Sequence, residues 1–126
     1  MEKIGIIGSG TWGTAIAVLL VNNGHEVTLW SAIPAEIEEM AKTRTHRNLP
    51  GVTLPEGLIY TADLEKAMAD KDLLVMAVPS VFVRSTAQKM KPFCKDGQLI
   101  VDVAKGIEEN TLDTMTQIIK EELPMA

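Results

Sequence analysis

Short apolar runs alternate along this chain with longer stretches in which apolar positions recur at helical spacing. The apolar runs have the length and the β-branched content of buried strands, and they lie at 3–7, 27–30, 58–60, 73–78 and 98–104. The amphipathic stretches predict helices at 12–21, 34–41, 63–69, 80–90 and 110–123. Because the two kinds of element alternate, the pattern predicts an α/β fold, a doubly wound parallel sheet with helices on both faces, in three layers.

Length and charge restrict the classes of protein to which the chain can belong. Its 126 residues are enough for one domain. A net charge of −5 argues against a nucleic-acid-binding surface and against binding to an anionic membrane. No apolar run approaches the roughly 20 residues of a membrane span, and the N-terminus lacks a signal-peptide pattern, so we expect a cytoplasmic protein. The single cysteine, Cys94, excludes an internal disulfide.

Three glycines lie between the first predicted strand and the first predicted helix, in the motif GSGTWG. Gly8 would let the chain turn out of the strand, Gly10 would let a pyrophosphate approach the backbone, and Gly13 would let the helix pack on the strand. The start of the helix would then offer free N–H groups to the phosphates. A strand-to-helix turn with incidental glycines is the alternative, but the position of the motif favours a Rossmann-type dinucleotide site that includes Ser9.

The second predicted strand does not decide between NAD and NADP. Enzymes that bind NAD usually place an acidic residue about 20 positions after the motif, where it binds the ribose 2′-hydroxyl. Here that position offers Ser31, Ala32 and Ile33, while Glu26 lies too early, at the start of the strand. The Ser31 hydroxyl is able to hydrogen-bond either a ribose hydroxyl or a 2′-phosphate, so both cofactors stay open.

Two further residues follow strands that end at the same edge of the predicted sheet. Phe82 comes after the strand at 73–78, and Lys105 comes after the strand at 98–104. Ligands bind at the carboxyl ends of parallel strands, so Phe82 could pack on the cofactor and Lys105 could bind a phosphate or polarise an oxygen. A place in the helix–sheet core for Phe82 and in a solvated loop for Lys105 are the alternatives.

Other charged residues are assigned to solvent. The acidic run at 36–39 is interpreted as a solvated helix face, and the basic run at 42–47 is interpreted as a solvated loop. Assistance to an anionic ligand is the alternative for the basic run. His25 and His46 have no matched carboxylate or nucleophile at a telling spacing, so we interpret both as surface or loop-ordering residues. No metal-ligand spacing is visible in the sequence.

Five longer motifs occur along the chain: GSGTWGTA, NNGHEVTLW, NLPGVTLP, DLLVMAVPS and KGIEE. Together, and in this order, they resemble the N-terminal part of bacterial NAD(P)-dependent glycerol-3-phosphate dehydrogenases. The resemblance implies an enzyme that interconverts sn-glycerol 3-phosphate and dihydroxyacetone phosphate with a nicotinamide cofactor, for glycerophospholipid synthesis. It also implies cofactor contacts at Thr11 and Trp12 and a place near the cofactor for Phe82. Lys105 matches a lysine that touches both cofactor and substrate, which makes it the catalytic candidate.

The chain departs from this family in two respects. The family often has arginine or histidine where this chain has Ala32, which puts a preference for NADP in doubt. Family members are also much longer, and their helical substrate domain, with its general acid/base lysine, has no counterpart in residues 1–126. The resemblance therefore implies an incomplete cofactor-binding domain with cofactor affinity and little turnover. An unfinished sheet would expose an apolar patch and an open edge, which favours self-association, for example as a homodimer.

Two other functions stay open on the sequence. Other β-hydroxyacid-type dehydrogenases and ketol reductases share the glycine loop and the AVP strand end. A non-catalytic nucleotide-binding domain would need only the glycine loop. The motifs NLPGVTLP and KGIEE favour the glycerol-3-phosphate dehydrogenases.

Overall fold

The computed structural model describes residues 2–46, 51, 53–103 and 122–123. The strands are β1 (Lys3–Ile7), β2 (Glu26–Trp30), β3 (Leu58–Thr61), β4 (Leu73–Met76) and β5 (Ile100–Asp102). The helices are α1 (Thr11–Asn22), α2 (Pro34–Thr43), α3 (Leu64–Met68) and α4 (Val83–Met90), with 3₁₀ turns at Ser80–Phe82 and Lys91–Phe93. The strands form one parallel sheet in the order β3-β2-β1-β4-β5.

β1 is the central strand, and the order of the strands reverses beside it. The chain adds β2 and β3 on one side of β1, and then crosses over to add β4 and β5 on the other side. Ile7, the last residue of β1, therefore lies between Trp30 of β2 and Met76 of β4. Such a reversal leaves a crevice at the carboxyl ends of the two strands that flank it, here β1 and β4, where open α/β sheets bind their ligands.

Helices cover both faces of the sheet, which confirms the predicted fold class. The face that carries α1 and α2 has a buried core of Ile4, Ile6, Ala17, Val27, Leu29, Ile37, Met40, Leu54, Leu58 and Val75. The face that carries α3 and α4 has a buried core of Ile7, Trp30, Ala67, Met68, Leu74, Met76, Val78, Val83, Ala87, Met90 and Leu123. Since Ile6 and Ile7 enter different cores, β1 is buried on both sides, which is why its sequence does not alternate with polar residues.

Local signals in the sequence account for the helix boundaries. Pro34 occupies the first turn of α2, where its missing N–H costs nothing. Asp63 caps α3 as predicted, because its Oδ1 accepts a hydrogen bond from the Glu65 N–H at 3.0 Å. The helix predicted at 80–90 begins instead as a 3₁₀ turn and becomes α-helical at Val83. The helix predicted at 110–123 lies outside the described residues except at its last two positions.

Two strands are shorter than their apolar runs predict. β4 was expected to reach Val78 but ends at Met76, after which the Ala77 N–H donates to the Ile7 carbonyl at 2.8 Å. The backbone then bends toward Pro79, which has no N–H for a strand ladder. β5 was expected over 98–104, but it is paired only where it runs beside three residues of β4.

Two apolar side chains at and just before β5 are exposed to solvent. Leu99, just before β5, is 65% exposed and Val101 is 46% exposed. Self-association through this surface stays a prediction. No helix in the described ranges is both long enough and apolar enough to cross a membrane.

The central strand should dominate the stability of the fold. Ile6 is fully buried between the sheet and α1, whereas Ile59 on the edge strand β3 is 45% exposed. We expect Ile6→Ala to lower the free energy of unfolding by about 3 kcal/mol, through lost burial and a residual cavity. Ile59→Ala, the matched control, should cost less than about 1 kcal/mol. Urea unfolding followed by circular dichroism measures both, and equal losses would contradict this account of the core.

Candidate functional site

The turn after β1 requires glycine at position 8. Gly8 has a φ of +125°, and a Cβ built there would lie 2.6 Å from both the Ala77 carbonyl carbon and the Val78 nitrogen. Its own N–H donates to the Trp30 carbonyl at 3.0 Å. The turn is therefore packed closely between the ends of β2 and β4, and position 8 has no space for a side chain.

Gly13 is required for a different reason, the close approach of α1 to that turn. A Cβ on Gly13 would collide with the Gly8 carbonyl oxygen and would lie 3.2 Å from the Ala77 Cβ. The backbone of α1 is thus in direct contact with the backbone that leaves β1. The sequence-based interpretation of Gly8 and Gly13 agrees with this geometry.

Gly10 has no such structural reason. Its φ of −67° and ψ of −174° are open to any residue, and a Cβ built on it would meet nothing within 4 Å. The fold therefore tolerates a side chain here, and the space beside Gly10 is open at the carboxyl edge of the sheet. A glycine that the fold does not need, beside open space, fits a group that approaches the backbone from outside.

The start of α1 is open to an anion. Gly10 is the N-cap of this helix, no described side chain caps it, and its first turn contains no acidic residue. The first N–H groups of a helix have no partner inside it, and the helix dipole places partial positive charge there. α3 differs, because the Asp63 carboxylate already fills that role. The α1 terminus thus has the donors and the field that a phosphate group needs.

Exposed apolar side chains lie at the rim of this opening. Trp12, in the first turn of α1, is 74% exposed, and Phe82, in the turn after β4, is 55% exposed. Thr11 is exposed as well. The exposure of Phe82 shows that the alternative of a core residue was wrong. Both aromatic rings follow strands that end at the crevice between β1 and β4, so they are available to a ligand bound there.

Ser31 follows the last residue of β2, and its hydroxyl already accepts a hydrogen bond within the protein. It is 5% exposed, and its Oγ accepts a hydrogen bond from the Ile33 N–H at 3.1 Å, just before α2. The adjacent Ala32 and Ile33 are exposed. The Ser31 hydroxyl can still donate, so its contact with a ribose or a 2′-phosphate stays a prediction.

Two contacts to the glycine loop were missed from the sequence. The Ser9 hydroxyl donates to Glu36 Oε1 at 3.2 Å, and the Ser9 carbonyl lies 3.0 Å from His46 Nε2. The interpretation of 36–39 and 42–47 as solvated surface was therefore wrong for these two residues, since Glu36 is half-buried and His46 is 7% exposed. The loop-ordering role that the sequence allowed for His46 is the one that the structure has.

A cavity of about 450 Å³ adjoins these contacts, between α2 and the segment that follows it. It is lined by Ala35, Glu36, Glu39, Met40, Thr43, Thr45 and His46. Arg44 is not among these lining residues, and its guanidinium donates to the Leu54 carbonyl at 2.8 Å and 3.1 Å.

Cys94 and the acidic residues offer no second site in the described part of the chain. Burial, reinforced by the Asp96 carboxylate, raises the pKa of the Cys94 thiol, which disfavours the reactive thiolate. Among the described residues, no group of three or more histidine, cysteine, aspartate or glutamate side chains is arranged to bind a metal.

The chain matches a family model over almost its whole length. Residues 3–126 match the family described as NAD-dependent glycerol-3-phosphate dehydrogenase N-terminus. The chain belongs to this family. The resemblance seen in the five sequence motifs is thereby confirmed, and the glycerol-3-phosphate dehydrogenases are favoured over the other dehydrogenases and reductases that share the glycine loop.

Similar proteins are named in agreement with this family. The chain is 54% identical over 123 residues to glycerol-3-phosphate dehydrogenase (NAD(P)+) 2 of Lactobacillus delbrueckii subsp. bulgaricus, covering 98% of this chain and 36% of that protein. It is 53% identical over 127 residues to glycerol-3-phosphate dehydrogenase (NAD(P)+) of Agathobacter rectalis, covering 100% of this chain and 38% of that protein. The chain thus spans little more than a third of the length of these relatives.

A solved structure agrees with the fold. The crystal structure of glycerol-3-phosphate dehydrogenase from Coxiella burnetii superposes with a TM-score of 0.89 at 28% sequence identity, over 97% of this chain and 38% of that one. That enzyme thus shares the sheet and helices described above.

Lys105, the predicted catalytic residue, lies outside the described residues. The last described contact before it is a hydrogen bond from the Val103 N–H to the Met76 carbonyl at 3.0 Å. β5 therefore ends at the same edge of the sheet as the glycine loop. Contacts of Lys105 with a cofactor or a substrate stay a prediction.

The two kinds of glycine should respond differently to the same substitution. Gly13→Ala should lower the free energy of unfolding by about 2 kcal/mol or more, because the added Cβ collides with a backbone oxygen that cannot move alone. Gly10→Ala should cost about 0.5 to 1 kcal/mol, the difference between a glycine and an alanine N-cap. Urea unfolding of both variants makes the comparison. Equal losses would contradict the separation of a folding glycine from a binding glycine.

Proposed function

We propose that this chain is the NAD(P)-binding part of a glycerol-3-phosphate dehydrogenase. The observation that carries the proposal is the uncapped start of α1 beside the open space at Gly10. This arrangement fits a pyrophosphate, which needs N–H donors, a positive field and close access to the backbone. The family of the chain supports a nicotinamide dinucleotide as the molecule that contains it.

Each residue of the glycine loop has a different role in binding the phosphates. Gly8 and Gly13 fix the turn and the start of α1, so that the loop backbone and the N–H groups of Thr11 and Trp12 are directed to the phosphates. The Thr11 hydroxyl adds a further donor. Gly10 keeps the approach to the backbone open. Ser9 offers the cofactor its backbone N–H, because its hydroxyl and its carbonyl both hydrogen-bond other groups of the protein.

The exposed aromatic rings and the end of β2 bind the rest of the cofactor. Trp12 and Phe82 offer apolar surface at the rim of the crevice, where stacking on a cofactor ring would bury area that is now in water. Ser31, at the end of β2, would hold the adenosine ribose or a 2′-phosphate by donating a hydrogen bond from its hydroxyl. NAD and NADP both remain candidates.

The reaction needs more than the cofactor. The nicotinamide, when bound, accepts or donates the hydride in the interconversion of sn-glycerol 3-phosphate and dihydroxyacetone phosphate. The protein must also orient the substrate carbon and provide a base for the hydroxyl proton. Lys105 is our candidate for binding cofactor and substrate, but a solvated lysine is protonated at neutral pH and is a poor base. We therefore propose that residues 1–126 alone bind cofactor with little turnover.

The setting of the reaction follows from the family and is likewise proposed. The substrate is a small phosphorylated molecule, the compartment is the cytoplasm, and the product supplies glycerophospholipid synthesis. We assign residues 1–126 to a single cofactor-binding domain, with the helical substrate domain of the family outside them. The apolar surface on β5 supports self-association as a homodimer.

Titration with NADH tests the proposed function. NADH fluorescence should change in a saturable way, and Gly10→Val should abolish the change, because its side chain occupies the space through which the pyrophosphate approaches. A thermal unfolding curve of Gly10→Val shows whether the variant is folded. A parallel titration with NADPH decides between the two cofactors.

The controls of that titration separate the alternatives. NAD should compete with NADH, whereas AMP should not compete at equal concentration. Unchanged NADH affinity in Gly10→Val would overturn the assignment of the glycine loop. Equal competition by AMP would favour a non-catalytic domain that recognises a mononucleotide.

Lys105 can be tested in a full-length family member that carries this segment. Lys105→Ala should lower the rate of glycerol 3-phosphate oxidation at least tenfold, because a positioned charge at the reacting groups is lost. Lys95→Ala is a suitable control, since Lys95 is an exposed lysine whose Nζ donates to the Lys71 carbonyl at 2.9 Å. An unaltered rate in Lys105→Ala would return that residue to a solvated loop.

A further inference from the structure

Two side chains outside the predicted site are bonded to one residue of the glycine loop, Ser9. His46 reaches it from a position 37 residues away in the chain, and Glu36 reaches it from the first turn of α2. Both contacts are side-chain hydrogen bonds, separate from the backbone hydrogen bonds of the sheet and the helices. Their common target lies immediately before Gly10, the residue whose surroundings we assign to the pyrophosphate.

The contact with His46 is directional. A carbonyl oxygen can only accept, so His46 Nε2 is the donor to the Ser9 oxygen, at 3.0 Å. The imidazole is 7% exposed, which protects this hydrogen bond from competition with water. A second donor, the Thr14 hydroxyl in α1, bonds the same oxygen at 3.0 Å.

These two donors fix the orientation of one peptide group. The Ser9–Gly10 peptide is trans, so its C=O and its N–H point in opposite directions. Since the carbonyl of Ser9 is directed at Thr14 and His46, the N–H of Gly10 is directed away from both of them. The direction of the Gly10 N–H is thus fixed by the hydrogen bonds to the Ser9 carbonyl. The N–H does not need a hydrogen bond of its own for this.

The segment that carries His46 is itself anchored. The carbonyl of Arg44, two residues before it, accepts a hydrogen bond from the Leu54 N–H at 2.7 Å. The Arg44 guanidinium donates to the carbonyl of the same residue. Leu54 is fully buried in the core beneath α2. The position of the imidazole is therefore linked to the hydrophobic core.

Glu36 restrains Ser9 by a second route. Its carboxylate accepts a hydrogen bond from the Ser9 hydroxyl at 3.2 Å. α2 is attached to the core through Ile37 and Met40, which are 3% and 5% exposed. The side chain and the main chain of Ser9 are thus bonded to different parts of the fold.

We propose that His46 is a positioning residue for the dinucleotide, which orients the Ser9–Gly10 peptide so that the Gly10 N–H faces the pyrophosphate. Glu36 supports it through the Ser9 hydroxyl. The inference rests on the proposed function and adds to it a residue that does not touch the cofactor. Preorganisation is the physical reason, because a peptide that is already oriented loses less freedom when the phosphate binds.

The two histidines of the chain provide a matched test. His25 also bonds one backbone group, since its Nδ1 accepts from the Glu2 N–H at 3.0 Å, but that bond lies at the opposite end of β1. His46→Leu should weaken NADH binding about tenfold, the effect expected from the loss of one orienting hydrogen bond. His25→Leu should change NADH affinity less than about twofold, although it also loses one hydrogen bond to the backbone.

Amide substitutions separate positioning from general stability. The amide of His46→Gln can donate near the place of Nε2, whereas that of His46→Asn is about one methylene shorter and falls short. We expect Gln to restore NADH affinity to within about threefold of the unmodified chain, and Asn to resemble Leu. Thermal unfolding is recorded for each variant. If His46→Leu does not fold, the comparison of NADH affinity between His46→Gln and His46→Asn tests the positioning role.

A double-substitution cycle tests the contribution of Glu36. Glu36→Ala and Ser9→Ala each remove the same hydrogen bond, so the double variant should bind NADH no more weakly than the weaker single one. Glu39→Ala, which changes another carboxylate at the same cavity, is the control and should leave NADH affinity unaltered. Additive losses in the double variant would overturn the role of Glu36.

The outcomes distinguish this inference from the function on which it rests. An unmodified chain that does not bind NADH overturns the proposed function, and the inference falls with it. An unmodified chain that binds NADH, with His46→Leu and His46→Asn binding equally well, overturns the inference alone. Loss of thermal stability without loss of NADH affinity in these variants likewise shows that His46 has only a structural role.

Discussion

The contact between α1 and the turn that leaves β1 is the constraint on which the rest of the structure depends. Gly13 lies so close to the Gly8 oxygen that even a methyl group would separate them. Gly8, in turn, fits between the ends of β2 and β4 only because it has no side chain and a positive φ. This backbone-to-backbone packing brings the start of α1 to the carboxyl edge of the sheet. A larger residue at either position would move the helix, and with it the donors at its first turn.

The order of the strands places the contact between α1 and the turn after β1 at a ligand-binding crevice. Because β4 lies beside β1 rather than beside β3, the crevice opens at the point where α1 begins. Trp12 and Phe82 follow the two strands that flank the crevice, and both side chains are exposed to solvent. The crevice, the positive end of the α1 dipole and the exposed aromatic rings therefore lie at one place, although they come from separate stretches of the chain.

The sequence predicted those parts of the site that depend on neighbours along the chain. The spacing of Gly8, Gly10 and Gly13 has local physical causes, and the alternation of strands and helices follows from burial on both faces of the sheet. The contacts of Ser9 with Glu36 and His46 could not be read from the sequence, because they join residues 27 and 37 positions apart. Glu36 had one available signal, since a helix that begins just after β2 has its first turn at the glycine-loop edge. For His46 the sequence allowed a loop-ordering role but did not indicate its partner, because the path of its segment is set by the bonds between Arg44 and Leu54.

No described side chain caps the start of α1, so the stability of the fold would depend on the binding of a cofactor there. α3 begins at a carboxylate that belongs to the chain, whereas the beginning of α1 offers the same kind of donors to a molecule from outside. A dinucleotide that completes this helix would bind the folded chain and not the unfolded one. The folded population would then rise with the logarithm of the dinucleotide concentration once that concentration exceeds the dissociation constant. The lifetime of the protein against proteolysis in the cell would in this way follow the supply of its own cofactor.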